Sequence, residues 1–333
     1  MSFAAPAVVP AKPGRVAWLD LFRGVAVLAM IETHVVNTFL APGLRETVWF
    51  GWLNRCNGLV APAFLFIAGY ALGMGWRSPA RGPVLTRKTK RLLGVAALGY
   101  ALHFPFAELG QQRWAEALRT GTQVDVLPCL AAALLAALGV QWLAGKWGQG
   151  AGLAALFGLA LAVVRWAPAS AEWSVGAVPL DAFLNTRTGS LFPLFPWAAF
   201  VFFGVLAGAC ATSHVAWMLM AAAVVKGCAL LADNGTFSVL SPAFFCERFA
   251  GVLVLAVIGH GVARGWKPGG VLVAGRESLV MYAAHLLIIE WIALAGMPRG
   301  GLGLGGVVLV FAAVLALTFA VAWAKTKWTG RSA

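Results

Sequence analysis

The chain has 333 residues, of which 61% are hydrophobic and 11% are charged. Its mean hydropathy is +0.83. A soluble domain is about one quarter charged, so this composition excludes a water-soluble globular enzyme, and the apolar content excludes a disordered chain. The net charge of +13 would suggest nucleic acid in a soluble protein, but cytoplasmic loops of membrane proteins collect Lys and Arg. We therefore predict an all-α polytopic membrane protein whose partners include membrane lipids and not nucleic acid.

The predicted membrane helices follow from apolar segments along the chain. At about 30 residues per span and loop, the length allows ten or eleven spans. We predict ten, with nine or eleven left open, at 16–40, 58–76, 92–107, 126–144, 150–167, 194–212, 215–232, 249–263, 271–295 and 304–324. The organisation is then a cytoplasmic tail (1–15), one transmembrane domain (16–324) and a second cytoplasmic tail (325–333).

The charges predict the orientation. With the N-terminus in the cytoplasm, fifteen basic residues lie on the inner side and eight on the outer side, and no acidic residue falls in an inner loop. Positive charge is retained on the cytoplasmic side of membranes. Both termini are therefore predicted to be cytoplasmic, with the bacterial inner membrane as the expected location.

The first predicted span carries ionisable residues, which are costly in hydrocarbon and mark function by default. Arg23 and His34 are eleven residues apart, close to three helical turns, so they share a face about 16 Å apart along the axis. Asp20 and Asn37 extend this stripe, and Asp20 can pair with Arg23. Glu32 points elsewhere.

The stripe predicts a tunnel in which Arg23 binds an anionic group such as a phosphate and His34 acts as a general base. The structural alternative is that Arg23 snorkels to the inner surface and His34 makes a packing hydrogen bond.

Two further sets of residues could complete the tunnel. Ser278, Tyr282 and His285 share one face of the ninth span, either as a tunnel wall that holds a pantetheine arm or as a hydrogen-bonded seam between helices. Arg87 and Arg91 open the third helix, where they could meet phosphates or serve only as positive-inside charges.

The outer side offers weaker signals. Asp125 precedes the fourth span, either as an acceptor contact or, as we favour, a helix N-cap. The long outer loop 168–193 could shape an acceptor site or serve as an ordered connector. His103, His214 and His260 have no partner at helical spacing, which indicates structural roles. We see no metal-ligand pattern, and the five Cys residues suggest small buried hydrophobes.

Several motifs, in order, resemble one enzyme family. Arg23, ten residues and then His34 resemble the R-X10-H signature of acyltransferase-3-type enzymes. LDLFRGVAVLAMIETH resembles the first span of the related heparan-α-glucosaminide N-acetyltransferase-like family. Further similar stretches are APAFLFIAGY from residue 61, RKTKRLL from residue 87, VDVL from residue 124, FPLFPW from residue 192 and GRESLVMYAAH from residue 275.

The resemblance implies a membrane acyltransferase. Such enzymes use cytoplasmic acyl-CoA, commonly acetyl-CoA, to modify a hydroxyl or amine, often on a sugar, across the membrane. It implies that Arg23 and His34 are functional and that His34 is catalytic, by direct base catalysis or through an acyl-His intermediate. We accordingly predict Asp20 as a catalytic partner, Asn37, Asp125 and Trp197 as acceptor contacts, no metal, and a homo-oligomer as an open question.

Two other functions compete with this prediction. A transporter could use Arg23, Glu32 and His34 as a proton or anion relay, but we find no inverted repeat. An inactive scaffold would leave the cost of burying Arg23 and His34 unexplained.

Overall fold

The computed structural model describes residues 16–78, 82–210, 215–232 and 238–329, without the side chains of 215 and 216. The described chain is all helical, apart from an isolated bridge between Leu40 and Leu302. The helices are α1 (Ala17–Phe39), a 3-10 turn (Pro42–Glu46), α2 (Val48–Asn57), α3 (Val60–Gly73), α4 (Gly82–Leu102), α5 (Phe106–Gly110), α6 (Trp114–Thr122), α7 (Val126–Trp147), α8 (Gln149–Ser170), α9 (Val178–Leu184), α10 (Leu194–Ala209), α11 (Val215–Ala232), α12 (Pro242–Gly265), α13 (Gly269–Arg276), α14 (Ser278–Leu294) and α15 (Leu304–Trp328).

Among the described residues, every predicted apolar segment lies mostly on helix, with changes at several boundaries, and residues 211–212 of the sixth segment lie outside the described residues. The third segment was placed at 92–107, but α4 begins at Gly82 and ends at Leu102. The last helix continues past 324 to Trp328, because Lys325 and Lys327 in its final turn complement the helix dipole. The predicted cytoplasmic tail 1–15 lies outside the described residues.

The prediction of one continuous helix over 271–295 was wrong. The chain breaks between α13 and α14, which meet at an angle of 88°. At the break, Arg276 faces Asp20 on α1 and Glu277 pairs with Lys325 on α15. These two ion pairs connect the break between α13 and α14 to α1 and α15.

Membrane spans are evident by length and composition in the described residues. Five helical segments are long and apolar enough to cross a bilayer, and α13 with α14 makes a sixth if the bent pair counts as one span. The first of the five joins α2 and α3 over Val48–Gly73. This helix content is that of an integral membrane protein by length and composition, while ten spans and the terminal orientation stay predictions.

Small residues bring two central helices into contact. A Cβ atom at Gly69 or Gly73 of α3 would collide with main-chain carbonyls of α10, and one at Gly204 or Gly208 of α10 would collide with those of α3. Small residues at such spacing allow membrane helices to pack backbone to backbone. The α3–α10 pair therefore forms a close-packed centre beside α1.

The first helix is the axis of the candidate site. It packs against α3, α12, α13, α14 and α15. Gly24 of α1 meets the carbonyl of Val271, and Gly275 of α13 meets the carbonyl of Asp20, each without room for a Cβ. At the other end of α1, the amides of Gly300 and Leu302 donate to carbonyls of its last turn at 2.9 Å. Both ends of α1 are therefore anchored.

Candidate active site

The polar stripe of the first span lies on one unbroken helix. Because α1 runs from Ala17 to Phe39 without interruption, Arg23 and His34 keep their predicted helical relationship, about 16 Å apart along the axis. Both are half-buried, whereas Asn37 near the C-terminal end of α1 is exposed. The main-chain carbonyl of Asn37 accepts a hydrogen bond of 2.8 Å from Arg45.

His34 meets a second histidine from another helix. Its ring centroid lies 5.2 Å from that of His285 on α14, with the ring planes at 51°. His285 is fully buried, and its Nδ1 donates to the carbonyl oxygen of Met281 at 2.8 Å. In the neutral ring, Nε2 then carries the lone pair, and this buried atom has no hydrogen-bond partner among the described residues.

Tyr282 connects this pair to a carboxylate at the start of α7. Its ring lies 5.7 Å from that of His285, and its hydroxyl donates to Asp125 Oδ2 at 2.6 Å. Asp125 occupies the N-cap position of α7 but makes no side-chain capping hydrogen bond. The predicted N-cap position is therefore confirmed, but the carboxylate binds across to α14 instead of making a capping hydrogen bond to α7.

A third histidine reaches the same carboxylate. Nε2 of His103, in the turn after α4, lies 3.9 Å from Asp125 Oδ2, and Nδ1 lies 3.1 Å from the carbonyl of Gly99. The side chain of His103 is 33% exposed and that of Asp125 12%. Asp125 and His103 both act electrostatically on His34. We call His34, His103, Asp125, Tyr282 and His285 the histidine cluster.

Four chain segments that are distant in sequence supply the histidine cluster. It contains imidazoles that can accept a proton and a carboxylate that can stabilise an imidazolium. One of its ring nitrogens, Nε2 of His285, has no hydrogen-bond partner among the described residues. The cluster runs from buried His285 to partly exposed His103. This arrangement suits proton transfer at a buried reacting centre.

A separate group of charges lies near the first turns of α1. Oδ2 of Asp20 lies 3.7 Å from Nε of Arg276, and the next residue, Glu277, pairs with Lys325. We call these four residues the Asp20 cluster. Asp20 is about 21 Å along α1 from His34, so the structure does not bring these two predicted catalytic residues together.

The other predicted residues are spread over the molecule. Arg87 and Arg91 on α4 are exposed, and Ser278 is the half-buried first residue of α14. Trp197 is buried in an aromatic group with Phe192, Phe200 and Phe244. The structure therefore joins only His34, Asp125, Tyr282 and His285 of the predicted set.

Sequence reasoning missed His103, since its partner Asp125 comes from a different helix and no local spacing signals the contact. The Glu32 carboxylate interacts with the Asn57 side chain, while its Oε1 is buried without a hydrogen-bond partner among the described residues. No group of three or more potential metal ligands occurs among the described residues.

The fold defines the class of a helical protein with several candidate membrane spans, in which the buried His285 of α14 contacts His34 of α1. Residues 15–235 match the family described as heparan-alpha-glucosaminide N-acetyltransferase, catalytic, and because this covers most of the chain, the protein belongs to that acetyltransferase family. The match includes His34, His103 and Asp125, while Tyr282 and His285 lie beyond it. No curated protein matches the chain.

Proposed function

We propose that the protein transfers an acetyl group from cytoplasmic acetyl-CoA to a hydroxyl or amine of a sugar on the opposite side of the membrane, with the bacterial inner membrane as its location. Family membership supports acetyl transfer, the family's name supports the sugar, and the apolar helices support a membrane setting. The observation that carries the site assignment is the contact between His34 and the buried His285.

In this mechanism His34 is the general base. The acceptor oxygen or nitrogen attacks the thioester carbonyl carbon while His34 takes the acceptor proton. The carbon–sulfur bond then breaks, and the proton passes from His34 to the leaving thiolate, which leaves as CoA. The unpaired Nε2 of His285 can orient His34 or the acceptor, and Asp125 stabilises the positive charge that develops on the imidazole.

The donor enters at the opposite end of α1. Arg23 binds the CoA phosphates, with Arg87 and Arg91 as further candidates, and Asp20 holds this end in place through Arg276. The pantetheine arm then spans the distance along α1 between Arg23 and His34, about 16 Å, with Ser278 on its path. Asn37 and Trp197 remain proposed acceptor contacts.

The test compares two neighbouring variants in purified protein. His34→Ala should lower acetyl transfer to glucosamine or glucose, as amine and hydroxyl probes, by about 10²- to 10⁴-fold. The matched control is Thr33→Ala, since the Thr33 hydroxyl only donates to the Ala29 carbonyl of its own helix at 2.8 Å. Equal rates for His34→Ala and the wild type would contradict the role of His34.

Two further measurements examine the donor and the route. Calorimetry should show acetyl-CoA binding that weakens in Arg23→Ala, and absence of binding by folded wild-type protein would favour the transporter alternative. Labelled acetyl-CoA without acceptor, followed by mass spectrometry, distinguishes direct transfer from an acetyl-His34 intermediate.

A further inference from the structure

The outer loop contacts the chain directly before Asp125. The amide of Val124 donates to Ser190 Oγ at 3.0 Å, and the amide of Phe192 donates to the carbonyl of Val124 at 3.0 Å. Val124 is fully buried and Ser190 is 2% exposed. Both main-chain polar groups of Val124 are therefore bound by residues 190–192, which we call the strap.

Hydrogen bonds of Asn185 and a close approach by Gly189 fix the residues directly before the strap. The Asn185 side chain, which is buried, donates to the carbonyl of Trp173 at 2.6 Å and accepts from the amide of Arg187 at 2.9 Å. Gly189 has φ +90°, a conformation that favours glycine, and a Cβ there would lie 2.6 Å from Nε2 of Gln123. Gly189 thus lies close against Gln123, directly before the strap that binds Val124.

This contact bears on the histidine cluster through Asp125. Because the Asp125 carboxylate makes no capping bond to α7, its position depends on its main chain and on Tyr282. The strap holds Val124, the residue directly before Asp125. The main-chain carbonyl of Asp125 accepts a hydrogen bond from the amide of Cys129 at 3.1 Å. A shift at Val124 would therefore move the carboxylate relative to Tyr282 and His103.

We propose that Ser190 is a positioning residue for acetyl transfer, which acts by holding Val124 and so aiming Asp125 at Tyr282 and His103. This proposal rests on the proposed function for its kinetic consequences. Removal of the hydroxyl leaves a buried amide without an acceptor, so the strap must relax or Val124 must move.

The kinetic test is Ser190→Ala, with Ser174→Ala as the matched control. The exposed Ser174 lies in the same outer loop, but its hydroxyl donates to the Asp181 carboxylate at 2.7 Å. Ser190→Ala should lower kcat by about 10- to 100-fold with little change in the KM for acetyl-CoA, because misplacement of a catalytic group costs this much. Ser174→Ala should keep the wild-type kcat, and Ser190→Thr, which retains the hydroxyl, should recover most of the loss.

A double-mutant comparison shows whether Ser190 acts through Asp125. In a Tyr282→Phe background, Ser190→Ala should lower kcat much less than in the wild type, since the contact that it protects is already gone. Independent, multiplicative effects would overturn the proposal, as would an unchanged kcat in Ser190→Ala. If Ser190→Ala does not fold, Ser190→Cys keeps the side-chain volume with a weaker acceptor and serves the same comparison.

A spectroscopic readout is independent of turnover. The chain has five histidines, so selective labelling gives few NMR signals, and His103→Gln identifies that of His103. Ser190→Ala should shift the His103 signal and Ser174→Ala should not; an unshifted signal would overturn the proposal. A shift in a protein that transfers no acetyl group would support the strap and reject the proposed function.

Discussion

The two polar clusters along α1 differ in how their charges and hydrogen bonds are satisfied. In the Asp20 cluster, each carboxylate faces a cation: Asp20 with Arg276 and Glu277 with Lys325. In the histidine cluster, the Asp125 carboxylate accepts a hydrogen bond from Tyr282 and faces His103. The buried Nε2 of His285 has no hydrogen-bond partner among the described residues. Paired charges stabilise helix contacts, whereas a buried group without a partner is costly and is typical of a reacting site.

Among the variants that compare the two clusters, Asp125→Asn should have the largest effect on activity. Asparagine keeps an acceptor oxygen for the Tyr282 hydroxyl but removes the charge beside His34 and His103, so kcat should fall by about 10²-fold. Steady-state kinetics measure this, with Asp181→Asn as the control at neutral pH. A wild-type kcat in Asp125→Asn would mean that the cluster has no electrostatic role.

Asp20→Ala should instead affect stability. Asp20 is buried, and its removal leaves the partly buried Arg276 without this partner, so we expect a loss of about 1–3 kcal/mol. Thermal unfolding in detergent measures the change. The kcat at saturating donor should stay within about twofold of wild type because Asp20 is remote from His34; a large drop in kcat would place Asp20 in the chemistry.

Lys325→Ala should have a smaller effect in the same cluster. The Lys325 side chain is 40% exposed, so solvent weakens its ion pair with Glu277, and we expect a loss of about 0.5 kcal/mol. The measurement is thermal unfolding at low and high salt. A loss as large as that of Asp20→Ala would show that the α13–α14 break depends on this pair.

The smallest effect is a pH dependence of local stability in the loop 168–193. Hydrogen bonds from the Ser174 hydroxyl and the Val175 amide lower the pKa of Asp181. A lowered pKa contributes stability above the unfolded value that is lost as pH falls through the folded value. The protection of the Val175 amide, which is the intrinsic exchange rate relative to the measured rate at the same pH, should therefore fall on acidification in the wild type and depend less on pH in Asp181→Asn. The same pH dependence in both proteins would contradict this assignment.

Much of the fold was predictable from local composition. Apolar runs of membrane length predict helices, and most of each predicted segment is helical in the described chain, because buried backbone in lipid must satisfy its hydrogen bonds within the segment. The break at Glu277 was not predictable, since it depends on contacts of Arg276 and Glu277 with α1 and α15.

The sequence by itself determined the helical class and the membrane-type hydropathy, and it predicted a role for His34, because these follow from hydropathy and from ionisable groups at helical spacing. It also placed Tyr282 and His285 on one helical face. Only the tertiary structure decided that His285 faces His34, that Asp125 binds Tyr282 rather than its own helix, and that His103 joins them. Helical periodicity specifies which residues share a face, whereas packing between helices distant in sequence decides which faces meet.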